Sequence, residues 1–269
     1  MKFPVALQLY SVRDNLAADF EGTLKAVKEM GYDGVEFAGL YGHAPAEIKA
    51  LCEKYGLTPI SAHVPYVDMR DNPAILDAYR EMGCEFVVVP YLVEEHRPGH
   101  PGFEEVLANL KTLVTHAADR GMKLAYHNHD FEFVKVGEEY ALEVIFRENP
   151  ALQTQLDTCW VRVGGEDPAT FLRKYAGRAE LLHLKDYVGS KSENMYALIG
   201  IDDGEKKQVE GPFEFRPVGY GVQNFPAILT AAEECGTRWV IIEMDRPSMG
   251  KTPLECAEMG VTYIKSIMD

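Results

Sequence analysis

Residues 103–130 read FEEVLANLKTLVTHAADRGMKLAYHNHD, and this stretch contains one full repeat of the pattern that decides the fold. Phe103–Arg120 predicts an amphipathic helix of more than ten residues. Gly121 follows its end, where a left-handed cap is wanted. Lys123–His127 is then a short apolar run, and its far end carries His127 and His129. A helix, a capping glycine and a buried strand with polar residues at its C-terminal end form one unit of a parallel α/β sheet.

Working outward, the same alternation fills the chain. The other apolar runs are Val5–Leu9, Gly34–Phe37, Thr58–Ala62, Phe86–Val89, Gln153–Asp157, Leu181–Leu184 and Trp239–Glu243. They are mostly continuous rather than alternating, as in strands covered on both faces. Helices are expected at Phe20–Met30, Pro45–Tyr55, Pro73–Met82, Glu139–Glu148, Pro168–Tyr175, Phe225–Cys235 and Pro253–Ile267. Pro45, Pro73, Pro168 and Pro253 suit first turns, and Gly31, Gly56, Gly83, Gly177 and Gly236 suit helix ends. Eight ordered pairs predict an α/β fold, a (β/α)8 TIM barrel, with an open α/β sheet as the alternative. The 269 residues suit a single barrel domain spanning 1–269, since such barrels need roughly 250. Val188–Asn224 breaks the rhythm: it is long, glycine-rich and charged, and loops of this length are usually functional.

Composition narrows the function. Hydrophobic residues are 46% of the chain, enough for a sizeable core. The net charge is −15, from 27 basic and 42 acidic residues. That balance argues against nucleic acid and against anionic membranes as partners. The five cysteines are odd in number and form no CxxC, so a reducing cytoplasm without disulfides is expected. The opening MKFPVALQLYSVRD has too short an apolar run for a signal peptide or a membrane span. No P-loop, strand-linked GxGxxG or GxSxG elbow occurs. The lack of a phosphate-binding glycine loop favours free sugars, glycosides or cyclitols over phosphorylated ones.

In a barrel, polar residues at strand C-terminal ends point into a common mouth. Here these are Gln8, Tyr10, Glu36, His63, His127, His129, Asp157, His183 and Glu243, and they include four of the eight histidines. Asp157 in QLDTCW, His183 in LLHLKD and Glu243 in VIIEMD come from consecutive strands, with His127 on the strand before. Two carboxylates with imidazole suit one borderline divalent ion such as Mn²⁺, Zn²⁺, Co²⁺ or Fe²⁺. Each residue also has an ordinary structural use: Asp157 could cap the turn after it, and His183 could be a satisfied core histidine. Alternation places His127 and His129 on one side of their strand, Tyr126 and Asn128 on the other. Glu132 lies past that strand end and could reach back to substrate or metal. Lys185 shares the inward face with His183; it either moves a proton or pairs with a carboxylate such as Asp157 or Glu36. Gln8, Glu36, His63 and Trp160 are candidate substrate contacts, and Glu36 could instead orient a ligand imidazole. Arg216 could bind a substrate hydroxyl or phosphate, or lie in solvent.

LQLYSVRD (Leu7–Asp14), YHNHDFEF (Tyr126–Phe133), LDTCWV (Leu156–Val161), LLHLKD (Leu181–Asp186), PVGYGV and VIIEMD together resemble the xylose-isomerase-like barrel superfamily, in particular the sugar phosphate isomerases/epimerases. The resemblance covers nearly the whole chain. It implies one divalent metal at the mouth, held by His127, Asp157, His183 and Glu243. His127 departs from the pattern, because sugar epimerases of the family commonly have Glu there, one of two glutamates that exchange the substrate proton. Glu132, His129 or Lys185 would then take over. The implied chemistry is proton removal beside a metal-bound carbonyl, with an enediolate intermediate and Glu243 or a strand-five group as base. Isomerisation or epimerisation of a ketose or related polyol is the first expectation. The alternative is β-elimination from a keto-inositol or 3-keto-glycoside, since relatives with paired histidines after strand five include inosose-dehydratase-like proteins. A DNA-repair endonuclease on this barrel would need more metal ligands and a basic face. A carbohydrate or cyclitol is thus the expected partner, and a homo-oligomer is possible in such a chain.

Overall fold

Each predicted apolar run forms a strand, and the eight strands close into a parallel barrel. They are β1 (Val5–Gln8), β2 (Gly34–Phe37), β3 (Thr58–His63), β4 (Phe86–Val89), β5 (Lys123–His127), β6 (Gln153–Asp157), β7 (Leu181–Leu184) and β8 (Trp239–Ile242). This is a computed structural model, and it describes residues 2–191, 196 and 213–268. The ring closes where β1 pairs with β8, Leu7 opposite Ile242. The expected closed barrel is observed, and the alternative open sheet is excluded.

The intervening helices are α1 (Phe20–Glu29), α2 (Pro45–Tyr55), α3 (Ile75–Met82), α4 (Phe103–Ala118), α5 (Ala141–Glu148), α6 (Pro168–Leu172), α7 (Phe225–Cys235) and α8 (Pro253–Met268). Two starts differ from the sequence reading. Glu139 and Tyr140 pair with Lys135 and Val136 in a small antiparallel ribbon, so α5 begins after Tyr140, whose amide donates to the Glu143 carboxylate. Pro73 lies in a turn ahead of α3 rather than in its first turn. Short helices at Arg13–Ala18, Tyr66–Asp71 and Thr158–Val163 add to the eight pairs at the mouth of the barrel. Among the described residues no helix is long and apolar enough to cross a membrane. All five cysteines are buried and unbridged.

Two apolar layers hold the barrel. One lies between strands and helices and includes Val35, Val87, Leu124, Leu156, Leu182 and Val240. The other fills the interior with Ala6, Ile60, Phe86, Val88, Ala125, Leu181 and Ile241, closed by Trp239. Gly34 makes room for that indole: a Cβ there would lie 2.7 Å from the Thr58 carbonyl oxygen and 2.9 Å from the Trp239 ring. Strand alternation then places Gln8 above Ala6, His127 above Ala125, His183 above Leu181 and Glu243 above Ile241. The inner faces thus pass from an apolar floor to a polar rim at the C-terminal end.

The long segment after β7 begins as a hairpin. Asp186–Val188 pairs antiparallel with Glu214–Arg216. The Asp186 carboxylate then accepts hydrogen bonds from the amides of Gly219, Gly221 and Gln223 at 2.8–3.1 Å. That is the local reason for the PVGYGV run, because a Cβ on Gly221 would fall 2.2 Å from an Asp186 oxygen. Residues 192–195 and 197–212 of the predicted loop lie outside the described residues.

Candidate metal centre and its chamber

The side chains of His127, Asp157, His183 and Glu243 offer ligand atoms within 4.8 Å of one another, and all four are buried. His127 and Asp157 end β5 and β6, His183 lies within β7, and Glu243 follows β8. Asp157 divides its two oxygens. One accepts the Trp160 amide at 2.9 Å and caps the helix after β6; the other is buried with no hydrogen-bond partner. Capping and ligation were alternatives in the sequence, yet they would use different atoms of Asp157. A buried carboxylate oxygen that no hydrogen bond satisfies, 3.7 Å from His127 Nε2 and 3.5 Å from Lys185 Nζ, is what an ion-binding cluster leaves open.

His183 is held from both sides. Its Nδ1 lies 3.0 Å from Glu243 Oε2 and its Nε2 2.6 Å from Glu36 Oε1. Burial would lower its pKa, but the two carboxylates raise it to about 10. Glu36 in turn receives Gln8 Nε2 at 2.8 Å, Ser61 Oγ at 2.6 Å and Gln155 Nε2 at 2.5 Å. Burial pushes the Glu36 carboxyl up, but His63 and His183 more than offset it and hold it well below the usual range. Glu36 therefore backs a candidate ligand imidazole. Lys185 Nζ lies 2.8 Å from Glu243, 2.9 Å from Asp245 and 3.5 Å from Asp157. These three carboxylates keep the ammonium charged against the cost of burial. Asp245 is itself pushed up to about 6 by burial. Four carboxylates thus face one ammonium and one imidazolium, and a divalent cation would offset the excess negative charge. Donor type, burial and charge all fit such an ion.

A chamber of 570 Å³ opens over this cluster, and His63, His127, His129, Lys185 and Glu243 line it. The other residues expected to meet substrate do not line it. Gln8 and Glu36 are fully buried and spend their polar atoms on each other and their neighbours. Trp160 is buried behind the wall, its ring 5.2 Å from His129 and 5.6 Å from Lys185 Nζ. Glu132, expected as an acid/base, turns away: one oxygen accepts the Tyr126 hydroxyl at 2.6 Å, the other the His129 amide at 2.8 Å. Burial pushes its carboxyl up to about 8. Glu132 holds the turn that presents His129. Arg216 pairs with Glu214 at 3.0 Å on its own ribbon. Lys185 pairs with Asp157, as foreseen, but not with Glu36.

His129 faces the chamber with an Nδ1 that has no hydrogen-bond partner. Burial, reinforced by Lys185, holds its pKa well below the usual imidazole range. Tyr196, the one described residue between 191 and 213, sets its ring 6.2 Å from His129, edge-on, and 5.9 Å from Trp160, tilted, and donates to Asp130. Two residues escaped the sequence reading. Asp245 lies two beyond Glu243, and Gln155 two before Asp157. Gln155 bridges Glu36, His63 and His127. Period-two spacing from a named ligand was the signal for both.

Residues 24–267 match the family described as Xylose isomerase-like TIM barrel. The inosose dehydratase of Clostridium botulinum (strain Alaska E43 / Type E3) is 27% identical over 273 residues, spanning 91% of this chain and 89% of that protein. The rhizopine catabolism protein MocC of Rhizobium meliloti is 25% identical over 267 residues, 89% of this chain and 79% of that one. A crystal structure of a sugar phosphate isomerase/epimerase from Parabacteroides distasonis superposes with a TM-score of 0.77 at 20% identity, covering 98% of both chains. That of IOLI protein with a zinc atom gives 0.73 at 16% identity, covering 98% of this chain and 97% of the other. With the closed parallel barrel already on view, the match over nine-tenths of its length establishes that this chain belongs to the xylose isomerase-like TIM barrel family.

Proposed function

We propose that this protein is a divalent-metal-dependent lyase that removes a β-substituent from a ring polyol bearing a carbonyl, such as a keto-inositol or keto-glycoside. The observation that carries this reading is the convergence of His127, Asp157, His183 and Glu243 under a chamber reached by His129 and Lys185. Relatives at 25–27% identity named inosose dehydratase support elimination, which therefore moves ahead of isomerisation, the first expectation from sequence. The chemistry of the donors points the same way. A symmetric proton exchange wants two equivalent bases on opposite faces of the substrate, and His127 stands where the second glutamate would be.

A divalent ion held by the four residues would polarise the substrate carbonyl and stabilise the charge left when the α-proton departs. The protein's own residues handle the protons. His129 accepts the α-proton at its chamber-facing imidazole, and Lys185 Nζ protonates the departing oxygen. The α C–H and β C–O bonds break, a C=C bond forms between those carbons, and the carbonyl is retained. Glu36 and Glu243 hold His183 in one orientation, and Asp245 keeps Lys185 aimed from below.

The test is to incubate Mn²⁺-loaded protein with 2-keto-myo-inositol and follow the dehydrated product by ultraviolet absorbance and mass. Loss of one water per turnover, abolished in His129→Ala and in Glu243→Gln with loss of bound metal, is the expected result. Conversion to an isomer of unchanged mass would overturn the elimination reading.

A further inference from the structure

The chamber is larger and more apolar than one polyol ring requires. Its 570 Å³ lies within the range of roughly 300–1,000 Å³ for pockets that enclose drug-sized ligands. Six of its charged and imidazole groups gather at the floor, as His63, His127, His129, Lys185, Glu243 and Asp245, while Asp68 and His96 also line it. The outer wall is built by Tyr66, Val67, Ile75, Tyr79, Leu92 and Val93. These come from the helix after β3, from α3 and from the segment after β4. Tyr66 is fixed in place, its hydroxyl accepting from Asn109 Nδ2 at 2.8 Å and its ring meeting the edge of His96. Val93 remains 44% exposed, an apolar side chain left partly open at the rim.

Charge limits what this wall can receive. Among the described lining residues, Lys185 is the one Lys or Arg, and it is bound to floor carboxylates. The outer wall instead carries Asp68. Recognition of a phosphate or carboxylate substituent uses Arg, Lys or clustered amides, and among the described residues the outer wall offers an anionic substituent no Arg or Lys. A neutral, flat, apolar group needs none.

We infer that the outer half of the chamber is a subsite for an aromatic aglycone, so that the substrate is a keto-glycoside carrying an aryloxy group on the carbon β to its carbonyl. This rests on the elimination reading and names the leaving group within it. The α-proton passes to His129, the bond between the anomeric carbon and the aglycone oxygen breaks, and a C=C bond forms in the ring. The aglycone takes a proton from Lys185 and leaves as a phenol, with no oxidant or reductant consumed. The carbonyl must already be present, so a ring-oxidising reaction has to supply this substrate.

The experiment measures binding of unreactive phenyl and methyl β-D-glucopyranosides to Mn²⁺-loaded protein by calorimetry, beside glucose 6-phosphate. The expected result is at least tenfold tighter binding of the phenyl glycoside, with glucose 6-phosphate the weakest of the three. In the Val67→Ala, Ile75→Ala double variant the preference should shrink to threefold or less, while methyl glycoside affinity and melting temperature hold. Equal affinity for phenyl and methyl, or an undiminished preference in the variant, would overturn the subsite. Dehydration of 2-keto-myo-inositol is scored separately. If it proceeds without a phenyl preference, only the subsite falls; if it fails while the preference stands, the elimination reading falls.

Discussion

Glu36 and Glu132 show how the same side chain serves two different ends in one barrel. Glu36 is buried among donors and stays a carboxylate, and its reach to His183 Nε2 fixes the imidazole proposed as a ligand. Outer partners of this kind are worth about 10–100-fold in metal affinity. Glu36→Gln should weaken Mn²⁺ or Zn²⁺ binding by that factor, measured by competition with a chelator. An unchanged affinity would mean that Glu36 merely fills the core. Glu132 sits against Tyr126 and the His129 amide, and burial raises its carboxyl to about 8, against ~4.3 in an unfolded chain. Between those values the folded state binds the extra proton. Its contribution is therefore full below about 4.3 and is lost as pH rises through the folded value. Glu132→Gln can keep both hydrogen bonds without titrating. Its melting temperature should gain several degrees on that of the parent between pH 5 and 8.5, and a constant difference across that range would refute the assignment.

At the scale of elements, the parts that carry the site are those where backbone packs on side chain. The Asp186 carboxylate gathers two amides of the PVGYGV turn and that of Gln223 just after it, and Gly221 allows the approach. Gly221→Ala puts a methyl group on that oxygen and forces the turn outward. A cost of roughly 1–3 kcal/mol is expected, seen as a fall of roughly 2–12 °C in melting temperature. The helix after β6 depends likewise on Asp157, whose capping oxygen leaves the other without a hydrogen bond, facing Lys185 and the proposed ion. Asp157→Asn keeps the cap and removes the charge. It should retain the fold by circular dichroism while losing most bound metal; full metal occupancy would remove Asp157 from the ligand set.

Across the whole molecule, charge is sorted by end. At the N-terminal end of the barrel Lys123 and Arg238 share Glu180, and Arg238 also pairs with Glu85, in a partly exposed network. At the C-terminal end the carboxylates exceed the cations and are buried. An ion bound only by the folded state stabilises it by mass action. At a free ion level of about 100 times Kd this amounts to about 2.7 kcal/mol, or a rise of roughly 5–10 °C in melting temperature for a chain of this size. Scanning calorimetry of chelated and Mn²⁺-reloaded protein should show that rise and its dependence on ion concentration. The same melting temperature in both would speak against a site in this cluster.

The barrel was legible because its evidence is local. Apolar runs, first-turn prolines and capping glycines act within a few residues, and parallel strands bring all their C-terminal ends to one mouth whatever lies between them. That rule is also why four residues scattered from His127 to Glu243 could be named together. What each side chain does there was settled only by partners distant in the chain. Glu36 meets His183 across 147 positions, and Gln155 meets Glu36 across 119. Glu132 faces Tyr126 rather than the chamber, and Arg216 faces Glu214, because short range favours those neighbours once the backbone turns. The apolar wall from Tyr66 to Val93 has no spacing that a linear reading could detect, since three separate segments build it. Alternation sets which face a residue takes; only closure of the ring decides which atoms that face encounters.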